Sequence, residues 1–347
     1  MDNLTERNTV LDTLVLPAFL VRGGSIVQAN LAAAGLMIQP GTPVRQLLHT
    51  GIREYGEFSQ GRMYLTLSLD GTLRGATVTK LNDDDLFQLE QDENRELTAL
   101  SLAAMQLREP LTKALISAER LYDPQSGDEA LRLNRGLYQM LRILGNMADA
   151  AEPSFHPETV DICGVIREIF EKASALLDRS GRSVRFTGPD TPVYGLADSQ
   201  QLERAILNIL SNAVKFAPTV SPIEASLQRR DQMLQLSIRD SGCGIGQELL
   251  PTLFSRYLRE PGIEDSKSGL GLGMVLIKAA AQCHGGTVLV DTPEDGGTRI
   301  TLTLAIRQRK DDILRSPVML VDRYGERDHA LIELSDVLPP ELYDLSN

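Results

Sequence analysis

LNILSNAVKF (207–216) decides the reading of this chain, together with RDSGCGIG (239–246) and SGLGLG (268–273), which follow it in that order. Asp198 has the short polar side chain of a helix N-cap, and Gln201, three places on, is its reciprocal partner. The helix that follows buries Leu202, Ala205, Ile206, Ile209 and Ala213. It sets Asn208 and Asn212, four apart, on another face, with Lys215 one turn further along. Two carboxamides and an ammonium on one stripe suit a triphosphate with its metal, because amide oxygens ligate Mg²⁺ without adding negative charge and lysine neutralises phosphate. Taken alone, the same residues describe a solvated helix face. In RDSGCGIG, Gly242 and Gly244 let backbone approach a flat base, and Asp240 can accept the exocyclic amino hydrogens of adenine. A DxGxG alone is as often an ordinary strand-end turn. SGLGLG, with Gly269 and Gly271, precedes a helix expected over 271–284, whose N-terminal N–H groups can face phosphate; tight helix packing would explain the glycines too. A dinucleotide-binding fingerprint is rejected, since its glycines open a βαβ unit and these come after a loop of about 20 residues.

The 347 residues suffice for two or three domains, and 42% hydrophobic with 24% charged residues is ordinary for a globular protein. The net charge of −12 disfavours nucleic acid or an anionic membrane as the main partner. Cys163, Cys243 and Cys283 are odd in number and lack a CxxC pair, which fits reduced thiols in a cytoplasmic protein. The apolar stretch from Val10 to Val21 is broken by Asp12, Thr13 and Pro17, so no membrane span is expected there.

Before the nucleotide segments the chain changes period. LPAFLV (16–21) and SIVQAN (25–30) alternate as strands around Gly23-Gly24, Asn30 opens a short helical pattern, and 62–81 reads as two strands turning at Asp70-Gly71. This strand, turn and I-x-x-A-N step resembles a PAS sensor domain. From about Asp83 to Ala150 the period is helical. Leu100, Ala104, Leu107, Leu111, Ala114, Ala118 and Leu121 form one narrow apolar seam, and Ala130, Leu133, Leu137, Met140, Leu144 and Met147 form a second. Two helices cannot enclose two seams, so the hairpin is expected to pair with a second copy as a four-helix bundle, with a kink at Pro110. Helices over 162–179 and 198–215 and strands over 234–240, 287–291 and 298–306 predict an α/β sandwich. The tail from 308 is polar at first, and its later parts, VMLVD (318–322) and ALIELSDVLP (330–339), are apolar enough to dock on that domain.

As an ordered set, the three glycine- and asparagine-bearing segments, with LFSRYLRE (253–260) between the last two and GGTRITLTL (296–304) after them, resemble the catalytic domain of bacterial sensor histidine kinases, within the GHKL ATPase superfamily. The resemblance implies Bergerat-type ATP binding: Asn208 and Asn212 at Mg²⁺ and phosphate, Lys215 at phosphate, and Phe216 against the base. It places Asp240 at adenine N6 with Thr298 beside it. Gly242, Gly244, Gly269 and Gly271 shape the site, Phe254 and Tyr257 belong to a mobile lid, and Arg259 reaches either the γ-phosphate or solvent. ATP-hydrolysing members resemble one another in a glutamate four residues before the metal-binding asparagine. Asn208 stands there instead, and an amide is no general base, so a kinase-type site is favoured. Lys267 departs from a frequent glycine of the second glycine segment.

AAMQLREPLTKAL (103–115) resembles the family's H box, and aligning Leu107, Arg108, Pro110, Leu111 and Thr112 puts Met105 at the phosphate-accepting histidine and Gln106 at its acidic neighbour. A thioether has no proton to lose, and Gln106 cannot take one. None of His49, His156, His284 and His329 lies in the hairpin; Ser101 and Thr112 are the nearest hydroxyls. The expected architecture is multidomain α+β: a PAS-like domain (9–82), a dimerising helical hairpin (83–151), an ATP-binding α/β sandwich (152–308) and a C-terminal extension (309–347). The expected function is that of a homodimeric, cytoplasmic two-component pseudokinase that binds Mg·ATP and meets a response regulator or another two-component protein. The rivals are a kinase acting on a non-standard residue or a partner protein, and an anti-sigma-type serine kinase of the GHKL superfamily.

Overall fold

A computed structural model describes residues 11, 14–81, 83–90, 104, 106–107, 111–116, 118, 128–151, 154–218, 221–246, 253–254, 272–308 and 328–344. The runs that alternate in sequence form strands. β1 (Ala18–Arg22) and β2 (Ser25–Ala29) pair antiparallel across Gly23 and Gly24, whose φ angles are +57° and +80°. Asn30 caps α1 (Leu31–Ala34): its Oδ1 accepts from Ala33 N, and also from Ala18 N at 3.0 Å, tying the helix start to β1. α2 (Ile52–Glu57) leads to β3 (Arg62–Leu69), which turns at Asp70-Gly71 into β4 (Thr72–Lys80).

One expectation is corrected here. The helical period was expected from about Asp83, but Asp85–Leu89 forms β5, which pairs with both β1 and β4. Asp85, Phe87 and Leu89 point inward and their neighbours do not, so the segment has a strand's period of two. Phe87 stacks on Phe19 at 4.8 Å between ring centres, which fixes this register.

Of the hairpin, 111–116 is helical and α3 (Asp128–Ala151) is the long second helix. Leu115 is fully buried where Ala114 was expected, because the face that packs inward is turned by one residue. On α3, Leu137, Tyr138 and Leu141 are buried, whereas Leu133, Met140 and Ile143 are exposed. Leu100, Ser101, Met105, Arg108, Pro110 and Leu121 lie outside the described residues.

The remaining elements are β6 (Glu158–Asp161), α4 (Ile162–Asp178), β7 (Val184–Thr187), β8 (Tyr194–Ala197), α5 (Ser199–Phe216), β9 (Ile223–Arg230), β10 (Met233–Arg239), α6 (Gly273–Cys283), β11 (Val288–Asp291), β12 (Arg299–Ala305) and α7 (His329–Glu333). Among the described residues ten strands join in one sheet, ordered β2-β1-β5-β4-β3-β11-β12-β10-β9-β7, and β6 pairs with β8 separately. Neighbours are antiparallel except β7 with β9. Leu234, Leu236 and Ile238 of β10 face Leu304, Leu302 and Ile300 of β12 directly, so both strands present one apolar face. That face and helices α4, α5 and α6 enclose the main core, around Ile166, Phe170, Ile206, Leu210, Ile277 and Leu302. A second core lies within the N-terminal strands, around Phe19, Val44, Leu65 and Phe87. The N-terminal and C-terminal halves of the large sheet are continuous because β3 pairs with β11. Among the described residues no helix is long and apolar enough to cross a membrane, and the three cysteines are free thiols.

Candidate functional site

Asp198 caps α5 as the sequence predicts: its Oδ1 accepts from Gln201 N at 3.0 Å. The reciprocal half of the capping box is absent. The Asp198 N–H donates instead to His284 Nε2 at 3.0 Å, and Gln201 Nε2 donates to Ser154 O at 3.4 Å. His284 follows the last turn of α6, and its Nδ1 lies 2.8 Å from Ala280 O. Nε2 must therefore carry the lone pair and Nδ1 the proton, so the ring is neutral; burial pushes its pKa below the usual imidazole value.

The described parts of the three segments that decided the sequence reading lie together. A side chain at Gly273, in the first turn of α6, would meet Asn208 Oδ1 at 3.1 Å, so the start of α6 lies against the middle of α5. A side chain at Gly242 would meet Phe216 O at 2.6 Å, so the turn after β10 lies against the end of α5. Asp240 is 7% exposed, and its Oδ1 accepts from Gly242 N at 2.7 Å and Thr298 N at 3.2 Å. Burial raises the Asp240 pKa, and these bonds only partly offset it. Gly244 (φ +75°) backs onto Thr292 and Gly297. Asn208 is buried, Asn212 and Lys215 are half-buried, and Phe216 is 50% exposed at the helix end. Phe254, which the resemblance assigns to the lid, is buried, with its ring centre 6.1 Å from that of Tyr64 on β3. Tyr257, Arg259, Lys267, Gly269 and Gly271 lie outside the described residues.

Sequence reasoning missed what faces the asparagine–lysine stripe. Residues 328–344 do dock on this domain, as the apolar ALIELSDVLP stretch suggested, and they bring two carboxylates to the stripe. Asn208 Nδ2 donates to Glu333 Oε2 at 3.2 Å, and Lys215 Nζ donates to Asp336 Oδ2 at 2.6 Å. Arg142 of α3 spans both acids, through Nε to Glu333 at 3.4 Å and through Nη1 to Asp336, while its Nη2 reaches Asn208 Oδ1 at 3.1 Å. Arg204 holds the other Glu333 oxygen at 3.3 Å. Burial works against ionisation of Asp336, but Arg142 and Lys215 together hold its pKa below the ordinary carboxylate value. The signal was in the sequence: an arginine in the apolar period of 137–147 and two acids in an apolar docking segment each require a charged partner once buried.

The donor set on α5 fits a magnesium triphosphate chemically: two amide oxygens, a lysine and a nearby helix start. Asn146, one turn along α3 from Arg142, has a buried amide Oδ1 without a hydrogen-bond partner among the described residues. Among the described residues no cluster of His, Cys, Asp or Glu could itself hold a metal.

Residues 197–308 match the family described as histidine kinase-, DNA gyrase B- and HSP90-like ATPase. The chain is 29% identical over 212 residues to the sensor histidine kinase CusS of Escherichia coli (strain K12), covering 58% of this chain and 44% of that protein. It is 26% identical over 249 residues to the adaptive-response sensory kinase SasA of Microcystis aeruginosa, covering 64% of each. The chain thus spans from under half to about two thirds of the length of these two relatives. In fold it is similar to full-length ShkA, solved in complex with AMPPNP, with a TM-score of 0.50 and 20% identity over 61% of this chain and 46% of that one.

Proposed function

We propose that this chain, whose residues 197–308 match the histidine kinase-, DNA gyrase B- and HSP90-like ATPase family, is a sensor histidine kinase homologue that binds Mg·ATP but does not phosphorylate itself on the hairpin. The observation that carries the binding half is Asp240, a buried carboxylate fixed by two backbone N–H groups beside the end of α5. Such a carboxylate is a preset acceptor for the amino group of adenine. Thr298 and Gly242 set its orientation, Gly244 keeps the floor flat, and Phe216 lies against the base. Asn208, Asn212 and Lys215 then face the phosphates and Mg²⁺, with Gly269, Gly271 and Arg259 contributing from the glycine segment and lid. The carboxylate is the base-specific element, and the amide–lysine stripe is the phosphate-specific one.

The second half rests on Met105 and Gln106. Phosphoryl transfer to a hairpin histidine needs a nucleophilic ring nitrogen, and neither a thioether nor an amide supplies one. Nucleotide occupancy then acts as a signal. The N-terminal strands serve as a PAS-like sensor, the hairpin pairs two copies through the exposed apolar residues Leu133, Met140 and Ile143, and a response regulator docks on the resulting bundle.

Incubation of the full chain with γ-labelled Mg·ATP, followed by acid and by alkali, tests this reading. The expected result is no label. Acid-labile, alkali-stable label on the chain would overturn it in favour of an active histidine kinase. Acid-stable label would move the acceptor to serine or threonine, with Ser101 and Thr112 the first sites to map.

A further inference from the structure

Five apolar residues of the C-terminal segment, Ala330, Ile332, Leu334, Leu338 and Tyr343, are buried in the same core as the ATPase helices. Tyr343 meets Tyr138 of α3 edge-on at 4.9 Å. Arg135 donates to Ser335 O at 2.9 Å and Asp336 O at 3.0 Å, and Asn134 donates to Tyr343 O at 3.3 Å. The segment is therefore seated by packing and backbone contacts that do not involve its acidic side chains. Those contacts fix where the two carboxylates fall: Glu333 is 1% exposed, on Asn208, Arg142 and Arg204, and Asp336 lies on Lys215 and Arg142.

A carboxylate and a phosphate make the same demands on a protein, namely N–H donors and a cation, preferably a guanidinium fork. Asn208 and Lys215 are also the groups assigned above to the phosphates. They cannot serve both anions at once, and a triphosphate brought beside two carboxylates is repelled. Resting on the nucleotide reading of this site, we propose that residues 328–344 are a built-in competitor, with Glu333 and Asp336 standing in for phosphate groups, so that seating of the segment and binding of Mg·ATP exclude each other. Arg142 makes the device two-way. It belongs to the hairpin and grips both acids, so a rotation of α3 that withdraws it loosens the segment, and nucleotide that expels the segment frees α3. The hairpin and the nucleotide cleft are coupled through carboxylates rather than through a transferred phosphate, which gives a chain lacking an acceptor histidine a means of signalling.

Calorimetric titration of the full chain with Mg·ATP, in the wild type and in Glu333→Gln/Asp336→Asn, tests the proposal. The amides keep shape and remove charge. A competitor seated most of the time lowers apparent affinity by the fraction of chains left open, so the double variant is expected to bind about tenfold more tightly or better. Hydrogen exchange on the wild type is the second reading. Saturating Mg·ATP is expected to lower protection at Leu334, Ser335 and Leu338, whose N–H groups bond within the seated segment. Equal affinity of the two proteins, or unchanged protection at saturation, overturns the competitor. If affinity is equal but lost in Asp240→Asn, the nucleotide site stands and only the competitor falls. If no form binds, both fall together.

Discussion

At Asp240 the carboxylate points where it does because two backbone strands leave it no alternative. Gly297, at φ +82°, lets β12 begin close to the end of β10: a side chain there would stand 2.0 Å from Asp240 O. Gly297→Ala must therefore push the strand ends apart, and it is expected to cost about 1–3 kcal/mol in urea unfolding and to weaken Mg·ATP binding. His284 gives a prediction with a sign. Its folded pKa is depressed by burial, whereas an unfolded histidine titrates near about 6.5. Below that pH the unfolded chain takes up a proton that the folded chain refuses, so stability is lost as pH falls. The contribution is at most about 1.4 kcal/mol per pH unit. Urea midpoints of the wild type and His284→Gln between about pH 7.5 and 5.5 check this. The wild type is expected to lose stability more steeply, because glutamine can accept from Asp198 N but cannot be protonated.

The elements differ in how far they could be read in advance. Helices α4, α5 and α6 and strands β10, β11 and β12 lie within a residue or two of their sequence-derived limits, because an apolar period of 3.6 or 2 is a local property. β5 escaped because it has few residues and adjoins a longer helical pattern. The joint between β3 and β11 escaped for a different reason. It pairs Met63 with Leu289 and Tyr64 with Val288, residues more than two hundred positions apart, and edge pairing leaves no periodic trace in either strand. That joint carries a cluster of its own. Tyr64 packs on Phe254, its hydroxyl lies 3.2 Å from Glu90 Oε2, and Lys278 of α6 pairs with Glu90 while standing 5.0 Å over the Tyr64 ring. Tyr64→Ala is expected to cost about 3–5 kcal/mol in chemical unfolding. It should also raise hydrogen exchange in β11 as well as in β3. Exchange raised in β3 alone would mean the two halves of the sheet merely abut.

Over the whole molecule, α3 is the element that meets both the C-terminal segment and the helices of the nucleotide cleft. One side, through Leu137, Tyr138 and Leu141, holds the C-terminal segment, and the other leaves Leu133, Met140 and Ile143 open. The seam predicted from sequence combined residues from both sides, since spacing says that an apolar stripe exists without saying what covers it. If the open side pairs two copies, Leu133→Glu/Met140→Glu is expected to convert a dimer to a monomer in light scattering at micromolar concentration, with unfolding of the ATPase core unchanged. A dimer that survives both charges would place the interface elsewhere. The carboxylates on the asparagine stripe could not be foreseen from the glycine and asparagine motifs, because those motifs describe the residues that receive an anion and not which anion arrives. The account as a whole depends on adenine nucleotide being the ligand of the Asp240 cleft. Calorimetric titration of the full chain with Mg·ATP, wild type against Asp240→Asn, tests that most directly. Losing a charged hydrogen bond of about 1.5–3 kcal/mol predicts one saturable site in the wild type and a loss of affinity of about tenfold or more in the variant. Equal affinity in the two proteins would contradict it.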